Sequence, residues 1–296
     1  MSEELGIDLW MKRDDLTGFA MGGNKGRKLE YLMADVLATG AQVVVTCGAA
    51  QSNFIRHLGA ACSMFDLKCA AAIMNLPFDV EQPPHSPHSL GGNLTLNRLL
   101  GIDLRCQPDG TWEQLYQHAE KLAQEYENAG LKTYRIPVGG SSPLGAYAFV
   151  QAAKEIDQTF DTIVFASSSG STHTGLAFAY AGSQTRVLGI ACDPEPEIAE
   201  DFAVLARGLN ELIPDGPILT ANDYDLDFSF VGPGYGIPSE SGDEAIGRLA
   251  RSEGIFLDPI YSGKAFAGLI QLASQRELSG KVLFWHTGGI PTLFVK

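Results

Sequence analysis

The chain has 296 residues, of which 45% are hydrophobic, and its formal net charge is −14. This length and composition predict a large hydrophobic core divided between two lobes. The acidic balance argues against nucleic acid or an anionic membrane surface as a partner. No apolar run approaches the ~20 residues of a membrane span, no signal peptide is visible, and the five scattered cysteines lack CxxC spacing. We therefore expect a cytoplasmic protein with reduced, mostly buried thiols.

Three cations, Lys25, Arg27 and Lys28, follow a Gly-Gly turn at the start of the first predicted helix. Apolar residues recur at helical spacing behind them, and Gly40 marks the end of the helix. Cations at a helix N-terminus oppose the helix dipole, at a cost of about 0.3–1 kcal/mol each. The cluster therefore predicts a bound anion or a lysine held there for chemistry. A solvated basic patch is the alternative.

Strand-like and helix-like runs then alternate almost to the end of the chain. The strand-like runs are 42–47, 68–74, 102–107, 133–138, 162–166, 186–192, 228–231, 255–257 and 282–285. The helix-like runs are 52–64, 93–100, 112–128, 143–157, 240–253 and 264–277, with two more that begin near 172 and 197. This alternation predicts an α/β fold with open, mostly parallel sheets and helices on both faces.

The segment 75–92 is rich in proline and histidine and is expected to be a long loop near a site entrance. Its His85 and His88 have no acidic or cysteine partners nearby, so we expect no metal site there.

Polar turns follow several of the predicted strands, and in parallel sheets ligands gather at the carboxyl ends of strands. The serine-rich loop 166–172 is the best candidate for a phosphate cradle, because small hydroxyl residues and glycine let N–H and O–H groups converge at a helix N-terminus. It is not a P-loop, and a simple capped turn is the alternative.

Three other turns carry hydroxyl or amide side chains. The turn Gln51-Ser52-Asn53 is explained by itself as a helix cap. Tyr235 lies in a glycine-rich turn, and the polar segments 258–264 and 285–289 follow later strands. A reactive lysine, a phosphate cradle and several hydroxyls at strand ends together suggest a pyridoxal phosphate enzyme, in which the lysine forms the Schiff base.

These motifs, in this order, resemble those of the D-cysteine desulfhydrase and 1-aminocyclopropane-1-carboxylate deaminase family of pyridoxal phosphate enzymes. The match begins at Lys12-Arg13-Asp14-Asp15-Leu16-Thr17-Gly18 and covers essentially the whole chain. The resemblance implies a two-domain, fold-type II (tryptophan synthase β-like) α/β protein that binds pyridoxal 5'-phosphate and an amino acid substrate. It also implies a homodimer, with a large cofactor-binding domain (1–28 and 139–296) and a small domain (29–138).

The same resemblance assigns roles to individual residues. Lys25 is the Schiff-base lysine, and Asn53 binds the phenolic oxygen of the cofactor. The cofactor phosphate is bound by Lys28, Ser169, Gly170, Ser171 and Thr172. Gln51, Ser52 and Asn53 lie beside the substrate, with Tyr235 and Tyr261 facing the reacting group. The α-proton is expected to be removed by Lys25, or by Ser52 assisted by it, and Tyr235 or Tyr261 is expected to protonate the leaving group.

Two further positions of the cofactor site, Ser262 and Thr287, bear on substrate choice. Cyclopropane deaminases carry glutamate and leucine there, so these two residues resemble the desulfhydrase branch. A hydroxyl near the pyridine nitrogen leaves it nearer neutral than a carboxylate does, which suffices for a good β-leaving group such as thiolate. We therefore expect D-cysteine to give pyruvate, ammonia and hydrogen sulfide.

Three alternatives remain open on the sequence. A 1-aminocyclopropane-1-carboxylate deaminase would use the same scaffold. An L-cysteate sulfo-lyase would need a further cation near the site, for which Arg56 is a candidate unless it lies on the surface. A protein of a different class would bind the cofactor or a nucleotide without catalysis, with Lys25 as a counter-ion. One departure from the family pattern is Phe54, which replaces the usual histidine or glutamine after the Gln-Ser-Asn turn.

Overall fold

The computed structural model describes residues 1–74, 91–108 and 110–295, and the described chain divides into two compact units. The first unit comprises Met1–Arg27 and Ser142–Ile290, and the second comprises Lys28–Ser141 and Pro291–Lys296. The division into folding domains that we expect from the sequence stays a prediction, because compactness alone does not show that each unit folds independently.

The described strands, in chain order, are β1 (Asp8–Arg13), β2 (Val43–Ala49), β3 (Lys68–Met74), β4 (Asp103–Cys106), β5 (Thr133–Arg135), β6 (Thr162–Ser167), β7 (Arg186–Ala191), β8 (Asp225–Asp227) and β9 (Lys281–His286). The described α-helices are α1 (Ser2–Leu5), α2 (Lys25–Thr39), α3 (Asn53–Met64), α4 (Gly92–Leu99), α5 (Trp112–Asn128), α6 (Pro143–Ala153), α7 (Ser171–Tyr180), α8 (Ile198–Leu212), α9 (Glu240–Glu253) and α10 (Ser262–Ser274).

The first unit is built on a parallel five-stranded sheet in the order β1-β9-β6-β7-β8. Successive side chains of a strand point to opposite faces of the sheet. On β6, Val164 joins the cluster that contains Phe266 of α10, whereas Phe165 contacts His173 of α7 edge-on. Helices therefore cover both faces, and loops occupy the carboxyl ends of the strands.

The second unit is built on a parallel four-stranded sheet in the order β4-β3-β2-β5. Its central strand β2 is an apolar run buried almost throughout, as is typical of a parallel sheet covered by helices. Helix α5 packs Leu122 and Ala123 against Val43 and Val45 of this strand. The α/β fold with parallel sheets that the alternation of elements predicts is confirmed in both units.

Two strand predictions are wrong. The runs 228–231 and 255–257 are irregular segments outside the sheets; Phe230, Val231 and Leu257 are buried in them, whereas Phe256 is exposed. Short apolar runs predict burial better than they predict backbone geometry. Two edge strands, β1 and β8, have no apolar run of this kind, and for that reason hydropathy does not mark them.

Four of the cysteines, Cys47, Cys62, Cys69 and Cys192, are buried free thiols, as we expect, whereas Cys106 is exposed. None of the helices in the described ranges combines the length and the apolar character that a membrane span needs. The predicted loop from residue 75, with His85 and His88, lies outside the described residues up to residue 90.

Candidate functional site

Lys25 is the first residue of α2, and the turn before it is held against two strand ends. The backbone N–H of Asn24 donates to the carbonyl of Thr287, after β9, at 3.0 Å. The side-chain amide of Asn24 donates to Thr172 Oγ1, after β6, at 3.1 Å. A Cβ on Gly288 would lie 2.6 Å from Gly23 Cα, so only a pair of glycines allows this approach. The Gly-Gly-Asn turn thus places Lys25 at the carboxyl ends of β6 and β9.

The amine of Lys25 has a strongly altered acidity. Burial lowers its pKa from 10.5 to about 8, while the neighbouring Cys192 and Asp258 act in the opposite direction. Burial also raises the pKa of the Cys192 thiol, to about 12, so this thiol carries no charge beside the amine at neutral pH. At physiological pH, an amine with a pKa near 8 is neutral in a sizeable fraction of the molecules. It can therefore act as a nucleophile or a base.

The other two cations of the cluster have structural partners. Arg27 forms a two-pronged ion pair with the buried Asp14, with N–O distances of 2.8 and 2.9 Å, and a second pair with Glu155. Trp285 Nε1 donates to the same Asp14 carboxylate at 2.8 Å. Lys28, in the second unit, is buried and donates to the carbonyl of Gly139 at 2.9 Å. A solvated basic patch is therefore the wrong interpretation of this cluster.

The serine-rich loop connects β6 to the N-terminus of α7. Gly170 is the N-cap residue, with a φ of +99°, and a Cβ there would lie 2.5 Å from the ring of Phe202. Ser171 and Thr172 are buried in the first turn of the helix. A helix that begins at a glycine, with small hydroxyl residues in its first turn, presents backbone N–H groups to an anion.

Two tyrosine side chains of the first unit are in direct contact. The hydroxyl groups of Tyr235 and Tyr261 lie 2.9 Å apart. Burial raises the pKa of both hydroxyls, with Asp193 adding to the effect on Tyr235. Both phenols therefore keep their protons at neutral pH and can donate hydrogen bonds. The buried Lys264 holds the loop before Tyr235, because its Nζ donates to the carbonyls of Val231 and Gly234 at 2.6 and 2.9 Å.

Asp258 organises the start of α10, which carries two of the predicted site residues. One carboxylate oxygen accepts from the N–H of Ser262 at 2.7 Å and from its Oγ at 2.6 Å. The other accepts from the N–H groups of Ile260 and Tyr261, each at 2.9 Å. Because Asp258 also interacts with Lys25, it connects the amine to Tyr261 and Ser262.

The last polar strand end carries Thr287, which is buried next to His286. His286 Nε2 donates to the carbonyl of Phe256 at 2.8 Å, and its Nδ1 accepts from the N–H of Gly288 at 3.2 Å. With one ring nitrogen donating and the other accepting, His286 is in its neutral form. Burial, which lowers the pKa of His286, also favours the neutral form. His286 therefore acts as a support for the turn that carries Thr287.

The second unit contains the Gln51-Ser52-Asn53 turn between β2 and α3. Ser52 is the N-cap of α3, although its hydroxyl accepts from the N–H of Ile55 only at 3.4 Å. Asn53 Oδ1 accepts from Arg56 and Asn93. Arg56 is only 1% exposed, so the idea that it lies on the surface is wrong. Phe54 is buried as well, next to Gly140, which makes it a packing residue.

Within the first unit, hydrogen bonds and electrostatic contacts link the following predicted site residues into one connected set: Lys25, Thr172, Tyr235, Tyr261, Ser262 and Thr287. Ser169, Gly170 and Ser171 belong to the same loop as Thr172. Lys28, Gln51, Ser52 and Asn53 belong to the second unit. Asp258, Lys264 and Asn93 have no role in the sequence-based assignment. An Asp-Pro pair before a helix was a signal for Asp258, whereas nothing in the sequence marked the other two.

No group of three or more potential metal ligands occurs among the residues that the structure describes.

Comparison with known proteins gives a family match and several close relatives. A family model described as "Pyridoxal-phosphate dependent enzyme" matches residues 1–288. A D-cysteine desulfhydrase from Yersinia enterocolitica is 40% identical over 309 aligned positions, which cover 99% of this chain and 90% of that protein.

Solved structures agree with these matches. A crystal structure of an ACC deaminase homologue superposes with a TM-score of 0.88 at 36% identity, covering 99% of this chain and 88% of the other. The processed form of threonine deaminase isoform 2 from Solanum lycopersicum shares the fold, with a TM-score of 0.62 at 14% identity, and the match covers 97% of this chain and 76% of the other.

Proposed function

Since the chain belongs to the family of pyridoxal-phosphate-dependent enzymes, we propose that it catalyses β-elimination from a D-amino acid, with D-cysteine as the substrate. D-Cysteine and one water molecule then give pyruvate, ammonia and hydrogen sulfide. The family resemblance stated from the motifs is confirmed, and with it the pyridoxal phosphate dependence. The alternative of a scaffold that binds without catalysis is set aside for the same reason.

One observation carries the proposal: the first unit places a proton acceptor and proton donors in one connected set. Lys25 has a pKa of about 8, and Tyr261, whose pKa is raised, shares a hydrogen bond of 2.9 Å with Tyr235. Elimination requires a base for the α-proton and an acid for the departing group. The desulfhydrase relative at 40% identity supports the substrate.

The residues present fit the cofactor by their chemistry. Lys25 offers an amine with a lowered pKa for the aldehyde carbon. The glycine-capped N-terminus of α7, with Ser169 to Thr172, offers N–H and hydroxyl donors for a phosphate, and we propose that Lys28 binds the same group. We propose that Asn53 binds the phenolic oxygen and that Ser262 and Thr287 lie near the pyridine nitrogen. When bound, pyridoxal phosphate supplies the electron sink for the charge left on the α-carbon.

The chain's own residues then move the protons. We propose that Lys25 Nζ takes the α-proton, or that Ser52 Oγ takes it with the help of Lys25. The hydroxyl of Tyr261 or Tyr235 donates a proton to the leaving sulfur, and the hydrogen bond between the two phenols lets either be reprotonated through the other. Gln51 and Ser52 bind the carboxylate of the substrate.

The direct test is a product assay on the pure, cofactor-loaded protein. With D-cysteine we expect pyruvate and sulfide in equal amounts. L-Cysteate tests for sulfite release, and 1-aminocyclopropane-1-carboxylate tests for release of a keto acid. Turnover of one of these two compounds with a higher kcat/KM than that of D-cysteine contradicts the proposed substrate.

The deaminase homologue among the solved structures makes ring opening the second candidate activity. The residues at 262 and 287 argue against it by resemblance, and the structure adds a physical reason. Ser262 Oγ lies 2.6 Å from Asp258 Oδ1, so a glutamate at this position would put two carboxylates side by side. Such a pair favours a shared proton or a protonated ring nitrogen, and the native hydroxyl does not.

The double substitution Ser262→Glu with Thr287→Leu is therefore expected to shift preference toward the cyclopropane amino acid. We expect the ratio of kcat/KM for ring opening to kcat/KM for D-cysteine to rise at least about tenfold, which corresponds to about 1.4 kcal/mol. Ser274→Glu, at an exposed position of the same helix, controls for added charge. An unchanged ratio would show that these two positions do not set the substrate.

The sulfo-lyase alternative loses its candidate cation. Arg56 is buried, and its Nη1 is engaged by the side chains of Asn53 and Asn93. A sulfonate would have to compete with these contacts, so we do not extend the proposal to L-cysteate.

We further propose that the enzyme is a cytoplasmic homodimer with a large domain (1–28 and 139–296) and a small one (29–138). Four buried free thiols support a reducing compartment. Light scattering after size exclusion, at several protein concentrations, measures the oligomeric state directly.

A further inference from the structure

The amide of Gln51 is oriented by a backbone group. The N–H of Asn93 donates to Gln51 Oε1 at 2.8 Å. A backbone N–H only donates, so the atom that faces it must be the oxygen. The nitrogen, Nε2, is therefore turned away from Asn93, and it is buried without a hydrogen-bond partner among the described residues. The whole side chain is 8% exposed. A buried amide donor without an acceptor is rare in native proteins and indicates a missing partner.

The side chain of Asn93 is fixed by the same logic. Its Nδ2 donates to the carbonyl of Gln51 at 2.7 Å and to Asn53 Oδ1 at 2.9 Å. A backbone carbonyl only accepts, so the nitrogen must face it, and both N–H bonds of this amide are used. The oxygen of Asn93 accepts from Arg56 Nη1. Asn93 is wholly buried, so water does not compete for these bonds.

Asn53 is the third amide with one possible orientation. Its Oδ1 accepts from Arg56 Nη1 at 2.7 Å as well as from Asn93. A guanidinium has no acceptor, so the atom that faces Arg56 must be the oxygen. The Nδ2 of Asn53 is consequently the end of the amide that is left to donate elsewhere. The nearby positive charge of Arg56 strengthens this donor.

The approach of α4 to the turn is tight. A Cβ on Gly92 would lie 2.5 Å from Gln51 Oε1, and Gly92 has a φ of +55°. A glycine at position 92 therefore allows α4 to begin close enough to Gln51 for the Asn93 N–H to donate to it.

We infer that Asn93 and Arg56 are positioning residues that hold Gln51 and Asn53 with their amide N–H groups presented as donors to an anionic oxygen. The inference rests on the proposed function for the identity of that oxygen. It belongs either to the carboxylate of the amino acid substrate or to the phenolic group of the cofactor. Both are the same chemistry for the turn, namely an oxygen anion that accepts a hydrogen bond from an amide N–H.

The substitution Asn93→Asp tests this inference, because it keeps the shape of the side chain and removes the N–H groups. The new oxygen faces two acceptors, Asn53 Oδ1 and the Gln51 carbonyl, so it repels both and no longer holds the two amides in position. We expect a 10- to 100-fold loss, the size of one charge-assisted hydrogen bond. The loss falls on KM for D-cysteine if the anion is the carboxylate. It falls on cofactor affinity, with a shifted visible absorbance, if the anion is the phenolic oxygen.

Two readouts do not depend on turnover. Titration with D-alanine, which has no β-leaving group, reports binding of the carboxylate, and titration of cofactor-free protein with pyridoxal phosphate reports the phenolic oxygen. If the wild type binds D-alanine yet does not turn over D-cysteine, the proposed function fails while this inference is still tested.

The matched control is Asn97→Ala, one turn further along α4. Asn97 is also wholly buried, but its amide atoms make no hydrogen bonds within the described part of the chain. We expect it to leave KM and cofactor affinity unchanged. Gln51→Glu keeps the acceptor for the Asn93 N–H and replaces only the outward nitrogen, so it carries the test if Asn93→Asp does not fold. The inference is overturned if Asn93→Asp and Gln51→Glu both bind D-alanine and the cofactor as tightly as the wild type does. It is also overturned if Asn97→Ala loses as much affinity as Asn93→Asp.

Discussion

Replacing Lys25 with methionine is expected to abolish turnover and, in the cofactor-free protein, to increase the free energy of unfolding at neutral pH. Burial lowers the pKa of this amine from 10.5 to about 8, which means that the folded protein holds the charged form poorly. Removing the charge should stabilise the cofactor-free protein by on the order of 2–3 kcal/mol. Loss of function with a gain in stability is what a residue kept for chemistry should show.

The effect of Lys25 on stability depends on pH in a defined direction. Well below pH 8 the lysine is mostly protonated in both the folded and the unfolded chain, and the cost of the buried charge is close to complete. Between about pH 8 and 10.5 the folded protein has lost the proton and the unfolded chain still binds it, so stability rises with pH. The difference between Lys25→Met and the wild type should therefore be largest at pH 7 and should shrink toward pH 10.5.

Urea unfolding of the cofactor-free proteins at several pH values measures this difference, and a pyruvate assay measures turnover. The control is Lys154→Met, at an exposed position after α6, for which we expect a change within about 0.5 kcal/mol. Borohydride reduction of the cofactor-loaded wild type, followed by peptide mapping, should place the label on Lys25. A label on another lysine, or residual turnover in Lys25→Met, would contradict the assignment.

Replacing Asp258 with alanine is expected to cause the largest loss of stability among the single substitutions considered. Its carboxylate accepts from three backbone N–H groups and from the hydroxyl of Ser262, all within 2.9 Å. Asp258 is wholly buried, so water does not replace these bonds. Each buried donor left without a partner costs about 1–3 kcal/mol, and we expect a total of about 3–5 kcal/mol. Tyr261 and Ser262 would lose their positions with it.

The midpoint of urea unfolding at constant slope measures this loss. The matched control is Asp223→Ala. Asp223 also accepts from a backbone N–H and a hydroxyl, both of Thr220, but it does so in an exposed turn. Because water replaces these bonds, we expect a cost of only about 0.5–2 kcal/mol there. Equal losses in the two variants would show that Asp258 is an ordinary cap and that burial does not matter.

The part of the fold that hydropathy predicts well is the part where burial and regular structure coincide. Strands such as β2 and β6 are apolar runs because they are covered on both faces, and their positions follow from composition. The segment 228–231 is equally apolar but is an irregular loop, whose Val231 carbonyl is held by Lys264. No local pattern distinguishes the two cases, because the distinction lies in which neighbour offers a hydrogen-bond partner.

The site shows the same division. Lys25 and the serine-rich loop were identifiable because a cation at a helix N-terminus and a run of small hydroxyl residues are locally unfavourable or unusual without a ligand. Asn93 and Lys264 look ordinary, since asparagine and lysine are common in surface turns. Their significance comes from complete burial and from partners 30 to 42 positions away along the chain.

The amino-acid sequence by itself determined the class of the protein: an α/β chain with a candidate reactive lysine, a candidate phosphate-binding helix start and the ordered motifs of one family. Only the tertiary structure decided which cations are paired, which carboxylate organises α10, and which way the amides of Gln51 and Asn53 face. The physical reason is that hydropathy and motif spacing are local properties. The pKa of a buried amine and the orientation of an amide depend on atoms that the chain brings together only when it folds.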